Sequence, residues 1–431
     1  MLKSVKTTRQ LGEQERLLNY LHAFGGLIVM QVLHIRGRLD VDVLKRGLKR
    51  VQRRHAMARA HVRYGGLVFR KYPPFVYRQP WFELAGTHEI PVRVVARDWQ
   101  EVLAEELCRP LARGRTPRLR LTLIRDQANG LTHILIAADH SSVDAQSCNL
   151  LARELLEYLA DPNSKEAQPR TEEGLPPPLE AGLPEKSHSA KGTYQPAIRL
   201  PAKKRERGRA ITRVVKRTIS PEQLGHLKQA ALANRTSLHG ALTAAFLLAI
   251  GDRHGLSEMT CLSSVDMRRI CKPAVPTETF GCYLDILRTR HDLDKEFWAL
   301  ARDVSFRIVS TLSRNREAAS LLKLPDWEIY AKESLPTMAS GRRIDGLAFT
   351  TAGESGLGRN YGNLVLEDVT MAVSLDTFGP GILVIACERL GGLDLSICYA
   401  TRATCKEEAE DLTERAIVHL AAHSVIEKSD A

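Results

Sequence analysis

Residues 131–145 read LTHILIAADHSSVDA. Its first part, Leu131–Ala138, is almost entirely apolar, which predicts a buried β-strand. After a short polar turn, the leucines between Ala145 and Leu159 recur at helical spacing, which predicts a helix with one buried face. The stretch therefore predicts a strand, a turn and a helix, with His140 at the end of the strand.

His140 and Asp144 are the candidate functional residues of this turn. The pKa of a free imidazole is near 6.5, so a neutral His140 could accept a proton as a general base. Asp144 falls at the predicted helix start, where the helix dipole favours a carboxylate and a distant arginine could pair with it. The spacing alone does not distinguish a catalytic histidine from a structural one. We expect no metal at Asp139, His140 and Asp144, because no second cluster completes a ligand set.

The strand is preceded by the signals of a β-hairpin. Asn129-Gly130 separates it from a second apolar run, Leu119–Ile124, and this dipeptide favours a tight turn. A third run, Leu27–Ile35, also predicts a strand. The first half of the chain is therefore expected to form a sheet.

A basic helix is predicted over Val43–Arg54, with Asp40 or Asp42 as its N-cap. Its leucines share one face, which should be buried. The opposite face carries two rows of cations spaced four residues apart: Lys45, Lys49 and Arg53, and Arg46, Arg50 and Arg54.

The excess of basic residues is concentrated in two stretches. Arg36–Lys71 carries a net charge of +10 and Arg199–Arg217 a net +8, against +12 for the whole chain. Such asymmetry suggests an anionic partner, or else a solvated basic face that aids solubility. The partner could be a phosphorylated small molecule or an acidic protein. Nucleic acid is disfavoured, because aromatic residues make up only 6% of the chain and do not interleave with the basic ones.

A proline-rich stretch divides the chain. Residues 161–210 hold eight of the twenty prolines and show almost no apolar periodicity, which indicates a linker. We therefore predict an N-terminal lobe over 1–160 and a C-terminal lobe over 211–431, each long enough for its own core.

The second half alternates between predicted strands and helices. Residues 220–223, Ser-Pro-Glu-Gln, supply an N-cap, a first-turn proline and a capping-box glutamine. A helix over 236–249 is apolar nearly all round and should be buried, and a closing helix is predicted over 406–423. Strands are predicted at Ile211–Ile219, Met259–Ser264, Leu284–Arg290, Leu347–Thr351, Val369–Leu375, Ile382–Cys387 and Asp394–Tyr399. The pattern is that of an α/β protein with mixed sheets flanked by helices.

Several classes of protein are disfavoured. No apolar run reaches the roughly 20 residues that a membrane-spanning helix requires. The basic N-terminus has no uninterrupted apolar stretch after it, so we expect no secretory signal and a cytoplasmic protein. The eight cysteines include no Cys-x-x-Cys pair, which argues against a disulfide framework and a structural zinc site.

The turn residues also match a known motif. His140 and Asp144 coincide with the second His and the Asp of His-His-x-x-x-Asp-Gly, whereas Asp139 and Ala145 replace its first His and its Gly. Further landmarks follow in the same order: Val51–Ala60, the helix at 236–246, Ser264–Arg268, Phe280-Gly281 and Leu395–Tyr399. On these residues the chain resembles the superfamily of chloramphenicol acetyltransferase-like acyltransferases, which includes nonribosomal peptide condensation domains, polyketide-associated acyltransferases and plant BAHD enzymes. The Asp-Phe-Gly-Trp-Gly element of BAHD enzymes is absent, with only a faint echo at 376–381, so the condensation-like or polyketide-associated branch fits better.

The resemblance implies two similar α/β lobes with an active-site tunnel between them. It implies that His140 is the base that deprotonates an alcohol or amine as it attacks a thioester carbonyl, without an acyl-enzyme. It also implies a structural salt bridge between Asp144 and Arg268. Ser141 and Thr350 are weaker candidates for contacts with the developing oxyanion or the acceptor.

The resemblance also implies the partners. The donor would be an acyl-CoA or an acyl-carrier-protein thioester, with no other cofactor and no metal. Both donors are anionic, so Lys45, Lys49 and Arg53 form a candidate docking surface. The product would be an ester or amide in lipid, polyketide or peptide natural-product biosynthesis. The alternative is a non-catalytic condensation-like module that binds a carrier protein or another anionic partner, because two motif residues are replaced.

Overall fold

The computed structural model describes residues 7–23, 26–69, 75–77, 80–126, 129–163, 174–183, 197–198, 200, 211–314, 343, 345–375, 379–401 and 403–424. The strands in chain order are β1 Thr8–Gln10, β2 Ile28–Arg36, β3 His61–Arg63, β4 Leu67–Phe69, β5 Phe75–Tyr77, β6 Trp81–Glu83, β7 Val92–Val95, β8 Leu119–Asp126, β9 Leu131–Asp139, β10 Thr212–Ile219, β11 Glu258–Asp266, β12 Leu284–Asp292, β13 Leu347–Glu354, β14 Asn360–Tyr361, β15 Leu364–Val373, β16 Ile382–Arg389 and β17 Gly392–Ala400. The α-helices are α1 Glu13–Ala23, α2 Val41–Arg54, α3 Trp99–Leu107, α4 Ala145–Ala160, α5 Pro221–Ala233, α6 Leu238–His254, α7 Phe297–Arg314 and α8 Lys406–Ser424.

The chain divides into two compact units. Unit 1 comprises Met1–Glu185, Asp266–Leu284 and Ser355–Ser374, and unit 2 comprises Lys186–Val265, Asp285–Glu354 and Leu375–Ala431. Two segments from the second half of the chain therefore belong to unit 1, whereas composition predicts a simple division at 161–210. Most of that predicted linker lies outside the described residues, as do residues 376–378 of the BAHD-like echo.

Unit 1 is built on a six-stranded sheet in the order β14-β15-β2-β9-β8-β7. Neighbouring strands are antiparallel, except that β7 and β8 are parallel. The predicted hairpin is confirmed: β8 and β9 pair with Leu119 opposite Ala138 and Asp126 opposite Leu131. Gly130 in its turn has a φ of 62°, which glycine adopts without strain. β9 is thus an interior strand between β2 and β8, and its last residues lie at the end away from the hairpin turn.

Strand β15 is one of the two segments that return to unit 1. It pairs antiparallel with β2, with Val373 opposite Val29. A strand was predicted here over Val369–Leu375, and it is confirmed with the bounds Leu364–Val373. Its place beside β2 could not be predicted, because pairing between distant strands leaves no mark on a local sequence pattern.

Helix α2 packs its apolar face against α4. The side chain of its N-cap, Asp40, accepts hydrogen bonds from the N–H groups of Asp42 at 2.7 Å and Val43 at 3.1 Å. Gly47 permits the close approach of the two helices, because a Cβ there would lie 2.8 Å from Cδ1 of Tyr158. The row Lys45, Lys49 and Arg53 is left exposed on the outer face. In the other row, Arg50 lies over the Tyr158 ring and Arg54 pairs with Glu154 of α4 at 3.2 Å.

Unit 2 contains a second six-stranded sheet in the order β10-β17-β16-β13-β11-β12. Strands β10, β17 and β16 are antiparallel, whereas β16, β13 and β11 are parallel. Helix α6 is buried on nearly all sides, as predicted, and runs from its N-cap Ser237 to Gly255, whose φ is 62°. The capping box of α5 is also confirmed, with reciprocal hydrogen bonds between Ser220 and Gln223 at 3.1 and 3.2 Å. The predicted α/β class with two mixed sheets is confirmed.

Three of the described helices, α1, α3 and α7, were not predicted. In α7 the exposed Phe306 and Val309 interrupt the apolar stripe by which an amphipathic helix is recognised. Helix α3 is only nine residues long, and its N-cap is Asp98, which accepts from the N–H of Glu101 at 2.9 Å. None of the described helices is both long and apolar enough to cross a membrane.

Candidate active site

The turn after β9 carries the candidate base, and backbone hydrogen bonds fix it in unit 1. The N–H of His140 donates to the carbonyl oxygen of Leu27 at 3.3 Å. The carbonyl oxygen of Asp139 accepts from the N–H groups of Ser142 at 3.0 Å and Val143 at 3.2 Å. These contacts hold His140 at the end of the sheet with its side chain half-buried.

One ring nitrogen of His140 is committed to the backbone. Nδ1 lies 2.9 Å from the carbonyl oxygen of Val143, and because that oxygen can only accept, Nδ1 carries the proton of the neutral ring. Nε2 then has a free lone pair, with no hydrogen-bond partner among the described residues. Burial lowers the pKa of His140 below 6.5, although Asp144 and Asp139 oppose the shift. The ring is therefore neutral near pH 7, and its Nε2 can accept a proton.

Asp144 is completely satisfied by four hydrogen bonds. Its Oδ2 accepts from Nη1 of Arg268 at 2.7 Å and the N–H of Tyr283 at 3.0 Å. Its Oδ1 accepts from Nη2 of Arg268 at 3.1 Å and the N–H of Ser147 at 2.9 Å, which caps α4. Burial would raise the pKa of Asp144, but the attraction and hydrogen bonds of Arg268 outweigh it and lower the pKa. The carboxylate is therefore ionised at neutral pH and engaged in this pairing.

The Asp266–Leu284 segment completes the site within unit 1. The hydroxyl of Ser147 donates to the carbonyl oxygen of Gly281 at 2.8 Å and accepts from the N–H of Gly281 at 3.0 Å. The guanidinium of Arg268 also lies over the Tyr283 ring, 4.9 Å from its centroid. The start of α4, directly after the His140 turn, is thus bound to a segment that follows it by more than 120 residues.

The other two candidates for substrate contacts lie in different units. Ser141 in unit 1 is fully buried, and its Oγ has no hydrogen-bond partner among the residues that the structure describes. Thr350 in unit 2 lies on β13, opposite Ser264 of β11. The roles of Ser141 and Thr350, and the tunnel between the lobes, remain predictions.

The predicted docking row lies on the outer face of α2. Lys45, Lys49 and Arg53 are all exposed. Lys49 pairs with the exposed Glu89 at 2.7 Å, a contact that costs little to break in water. The row is therefore open to an anionic partner.

Sequence reasoning missed His239, in the first turn of α6 in unit 2. Its Nδ1 lies 2.9 Å from Oγ1 of Thr351, and its Nε2 lies 3.4 Å from Oγ of Ser263. Burial lowers the pKa of His239 to about 4, so its ring is also neutral. The only signal in the sequence was one imidazole at the start of the mostly apolar stretch 238–251.

No group of three or more His, Cys, Asp or Glu side chains suited to a metal ion occurs in the described part of the chain. The site consists instead of one available imidazole nitrogen and a buried ion pair beside it. This arrangement can accept a proton from a substrate. Sγ of Cys282 lies 4.0 Å from Nδ1 of His140, but burial raises the pKa of that thiol well above its usual range, so the thiol stays protonated near neutral pH.

Known proteins share this architecture. Residues 209–340 match the family described as phthiocerol/phthiodiolone dimycocerosyl transferase C-terminus. The trichothecene 15-O-acetyltransferase of Fusarium sporotrichioides superposes with a TM-score of 0.70 at 14% identity, over 97% of this chain and 95% of that one. Polyketide synthase associated protein 5 of Mycobacterium tuberculosis gives 0.65 at 18% identity, over 96% and 98%. The chain therefore has the same fold as these two proteins.

A module of peptide synthesis has the same fold. A cyclization-docking bidomain of a nonribosomal peptide synthetase from Sorangium cellulosum has a TM-score of 0.67 at 16% identity, over 98% of this chain and 86% of that one. No curated protein is significantly similar to the chain in sequence. The resemblance drawn from the His140 motif is confirmed at the level of the fold.

Proposed function

We propose that the protein is an acyltransferase that moves an acyl group from a CoA or acyl-carrier-protein thioester to an alcohol or amine. The observation that carries this proposal is the state of the His140 ring. Its Nδ1 proton is held by Val143, and its Nε2 has no partner among the described residues. The similarity to acyltransferases and condensation domains supports the same reaction class.

In the proposed reaction, Nε2 of His140 removes the proton from the acceptor O–H or N–H. The acceptor oxygen or nitrogen attacks the thioester carbonyl carbon, and the carbonyl π electrons move to its oxygen. When this tetrahedral intermediate collapses, the C–S bond breaks and the sulfur takes the proton back from His140. The reaction is a single displacement in a ternary complex, and it needs no acyl-enzyme and no cofactor.

The neighbouring residues have supporting roles in this proposal. The Asp144–Arg268 pair holds the start of α4 and so fixes the turn on which His140 lies. Ser141 and Thr350 are assigned to hydrogen bonds with the oxyanion or the acceptor. Lys45, Lys49 and Arg53 are assigned to docking of the anionic donor.

The class is tested by mixing acyl-CoA and acyl-carrier thioesters with pooled alcohols and amines, while thiol release and product mass are followed. The His140→Gln variant keeps a polar side chain but has no basic nitrogen, and we expect a loss of ~10²–10⁴-fold. His226→Gln is the matched control, because His226 is exposed on α5. Equal turnover by wild type and His140→Gln contradicts the proposed base. Absence of product from every protein, together with binding of a carrier protein, favours a non-catalytic binding module.

Donor docking is tested separately with the triple variant K45E/K49E/R53E. Reversing three charges should raise KM for the anionic donor roughly tenfold and reduce its salt dependence, with kcat unchanged. Lys406→Glu is the control, because Lys406 is 67% exposed on α8 in unit 2. A wild-type KM in the triple variant counts against docking on α2.

A further inference from the structure

The residue before His140 forms a buried ion pair that the function above does not use. Asp139 replaces the first His of the motif, and it is 0% exposed. Arg118, just before β8, is 2% exposed and donates to Oδ2 of Asp139 from Nε at 2.8 Å and also from Nη2. The N–H of Asp139 donates to the carbonyl oxygen of Arg118 at 3.1 Å. The two residues are thus linked through both their backbones and their side chains.

The second carboxylate oxygen of Asp139 shapes the turn itself. Oδ1 accepts from the N–H of Ser141 at 3.0 Å, which closes an Asx turn around His140. The carbonyl oxygen of Asp139 anchors the N–H of Val143, whose own carbonyl oxygen accepts from Nδ1 of His140. A continuous path of hydrogen bonds therefore leads from Arg118 through Asp139 to the ring of His140.

The charges of the pair also act on the ring. Burial raises the pKa of Asp139, but attraction to His22 and Arg118 and its hydrogen bonds outweigh burial and lower the pKa to about 2. The carboxylate is therefore ionised at neutral pH, one residue from His140, with the Arg118 charge to offset it. The titratable and charged groups facing His140 and this pair are Asp144, Cys282, Arg268, His22 of α1, Tyr64 and Arg120.

We propose that Asp139 and Arg118 are positioning residues for His140, because their ion pair fixes the Asx turn and balances the charge beside the base. The proposal rests on the proposed role of His140. Asp139 supplies the acceptor that closes the turn, and Arg118 holds that carboxylate in place and neutralises it. Neither residue is assigned a contact with substrate.

Substitutions at Arg118 and at Asp139 should shift the pKa of the His140 ring in opposite directions. Arg118→Gln leaves an unbalanced anion next to His140, which raises the pKa of its ring. Asp139→Asn keeps an oxygen for the Ser141 N–H but leaves Arg118 unbalanced, which lowers the pKa of the ring. The double variant D139N/R118Q has neither charge and should return close to the wild-type titration. Damage to folding alone would not produce shifts of opposite sign.

The titration of His140 is measured first by carbethoxylation with diethyl pyrocarbonate from pH 5 to 8. This reagent modifies neutral imidazole, and the extent at His140 is read on its proteolytic peptide by mass spectrometry. The reaction profile should move to higher pH in Arg118→Gln and to lower pH in Asp139→Asn, and Arg118→Lys should stay near wild type. Profiles that coincide in all variants would overturn the proposal. Asp139→Asn keeps this test decisive if Arg118→Gln does not fold.

The acyl-transfer assay gives a second reading. We expect kcat/KM to fall ~10–100-fold in Arg118→Gln, because a base displaced by about 1 Å loses that much rate. The double variant should recover most of this loss. A wild-type protein that transfers no acyl group would defeat the proposed function, whereas the carbethoxylation profiles would still decide the role of the ion pair. If kcat/KM falls among the variants only in proportion to their melting temperatures, the Asp139–Arg118 pair has a structural role and does not position His140.

Discussion

Two histidines, one in each unit, differ in what surrounds them. His140 in unit 1 has one ring nitrogen bound to a backbone carbonyl, and its other nitrogen has no described partner. His239 in unit 2 has a hydroxyl near each ring nitrogen, those of Thr351 and Ser263. Burial lowers the pKa of both, but only His140 has carboxylates nearby that oppose the shift. An available lone pair, rather than burial or a shifted pKa, therefore distinguishes the proposed base His140 from His239.

The supports of the two rings differ as well. The His140 turn is held by two buried ion pairs, Asp139–Arg118 and Asp144–Arg268. The described hydrogen-bond partners of His239 are neutral hydroxyls. A buried charge left without its partner is expensive, whereas a lost neutral hydrogen bond costs about 0.5–1.5 kcal/mol. The unit 1 site should therefore be more sensitive to substitution and to loss of charge.

The largest expected effect on stability follows from breaking the ion pair beside the base. Arg268→Met leaves the buried carboxylate of Asp144 without a counter-charge, and we expect about 3–5 kcal/mol of destabilisation in urea unfolding. The neighbouring Arg269 is exposed, so Arg269→Met should change stability by less than about 0.5 kcal/mol. Equal unfolding curves for the two variants would contradict the role given to the pair.

A second prediction concerns His239 of helix α6, whose described hydrogen-bond partners are uncharged. The pKa of His239 is about 4 in the folded protein against about 6.5 when unfolded, so the unfolded state binds more protons between these pH values. Stability is therefore complete above pH 6.5 and falls as the pH drops toward 4, by at most about 2 kcal/mol at pH 5. His239→Gln should lose less stability than wild type between pH 7 and pH 5. If the melting temperatures of wild type and His239→Gln differ by the same amount at pH 7 and at pH 5, His239 does not titrate as described.

A smaller effect concerns the pH at which catalysis begins. His140 must be neutral to accept a proton, and burial lowers the pKa of its ring. The acid limb of kcat/KM should therefore lie below pH 6.5, with full activity above it. The pH–rate profile of wild type for any productive thioester pair checks this. An acid limb above pH 6.5 would mean that the nearby carboxylates outweigh burial.

The sequence predicted the local parts of the site better than their partners. The apolar run, the Asn129-Gly130 turn and the leucine spacing predicted the strand, hairpin and helix around His140, because each depends on residues close in sequence. The candidate pairing of Asp144 with Arg268 came from the family motif, and no spacing rule reaches across 124 residues. Arg118 was not singled out, because its contact with Asp139 depends on the register of β8 against β9.

Local sequence patterns also could not predict which segments from the second half of the chain belong to unit 1. Composition predicted a linker over 161–210, but β15 and Asp266–Leu284 belong to unit 1 through hydrogen bonds made far along the chain. His239 escaped notice because one imidazole at the start of the mostly apolar stretch 238–251 looks like an ordinary core residue. In each case, local patterns could not show which residue or strand from a distant part of the chain lies beside the one predicted.

The proposed function requires that Nε2 of His140, and no other imidazole, takes the acceptor proton. The decisive measurement compares acyl transfer by His140→Gln and His239→Gln in one assay with the same thioester and acceptor. We predict a loss of ~10²–10⁴-fold for the first variant and a rate within about threefold of wild type for the second. Equal losses in the two variants, or full activity in His140→Gln, would contradict the account.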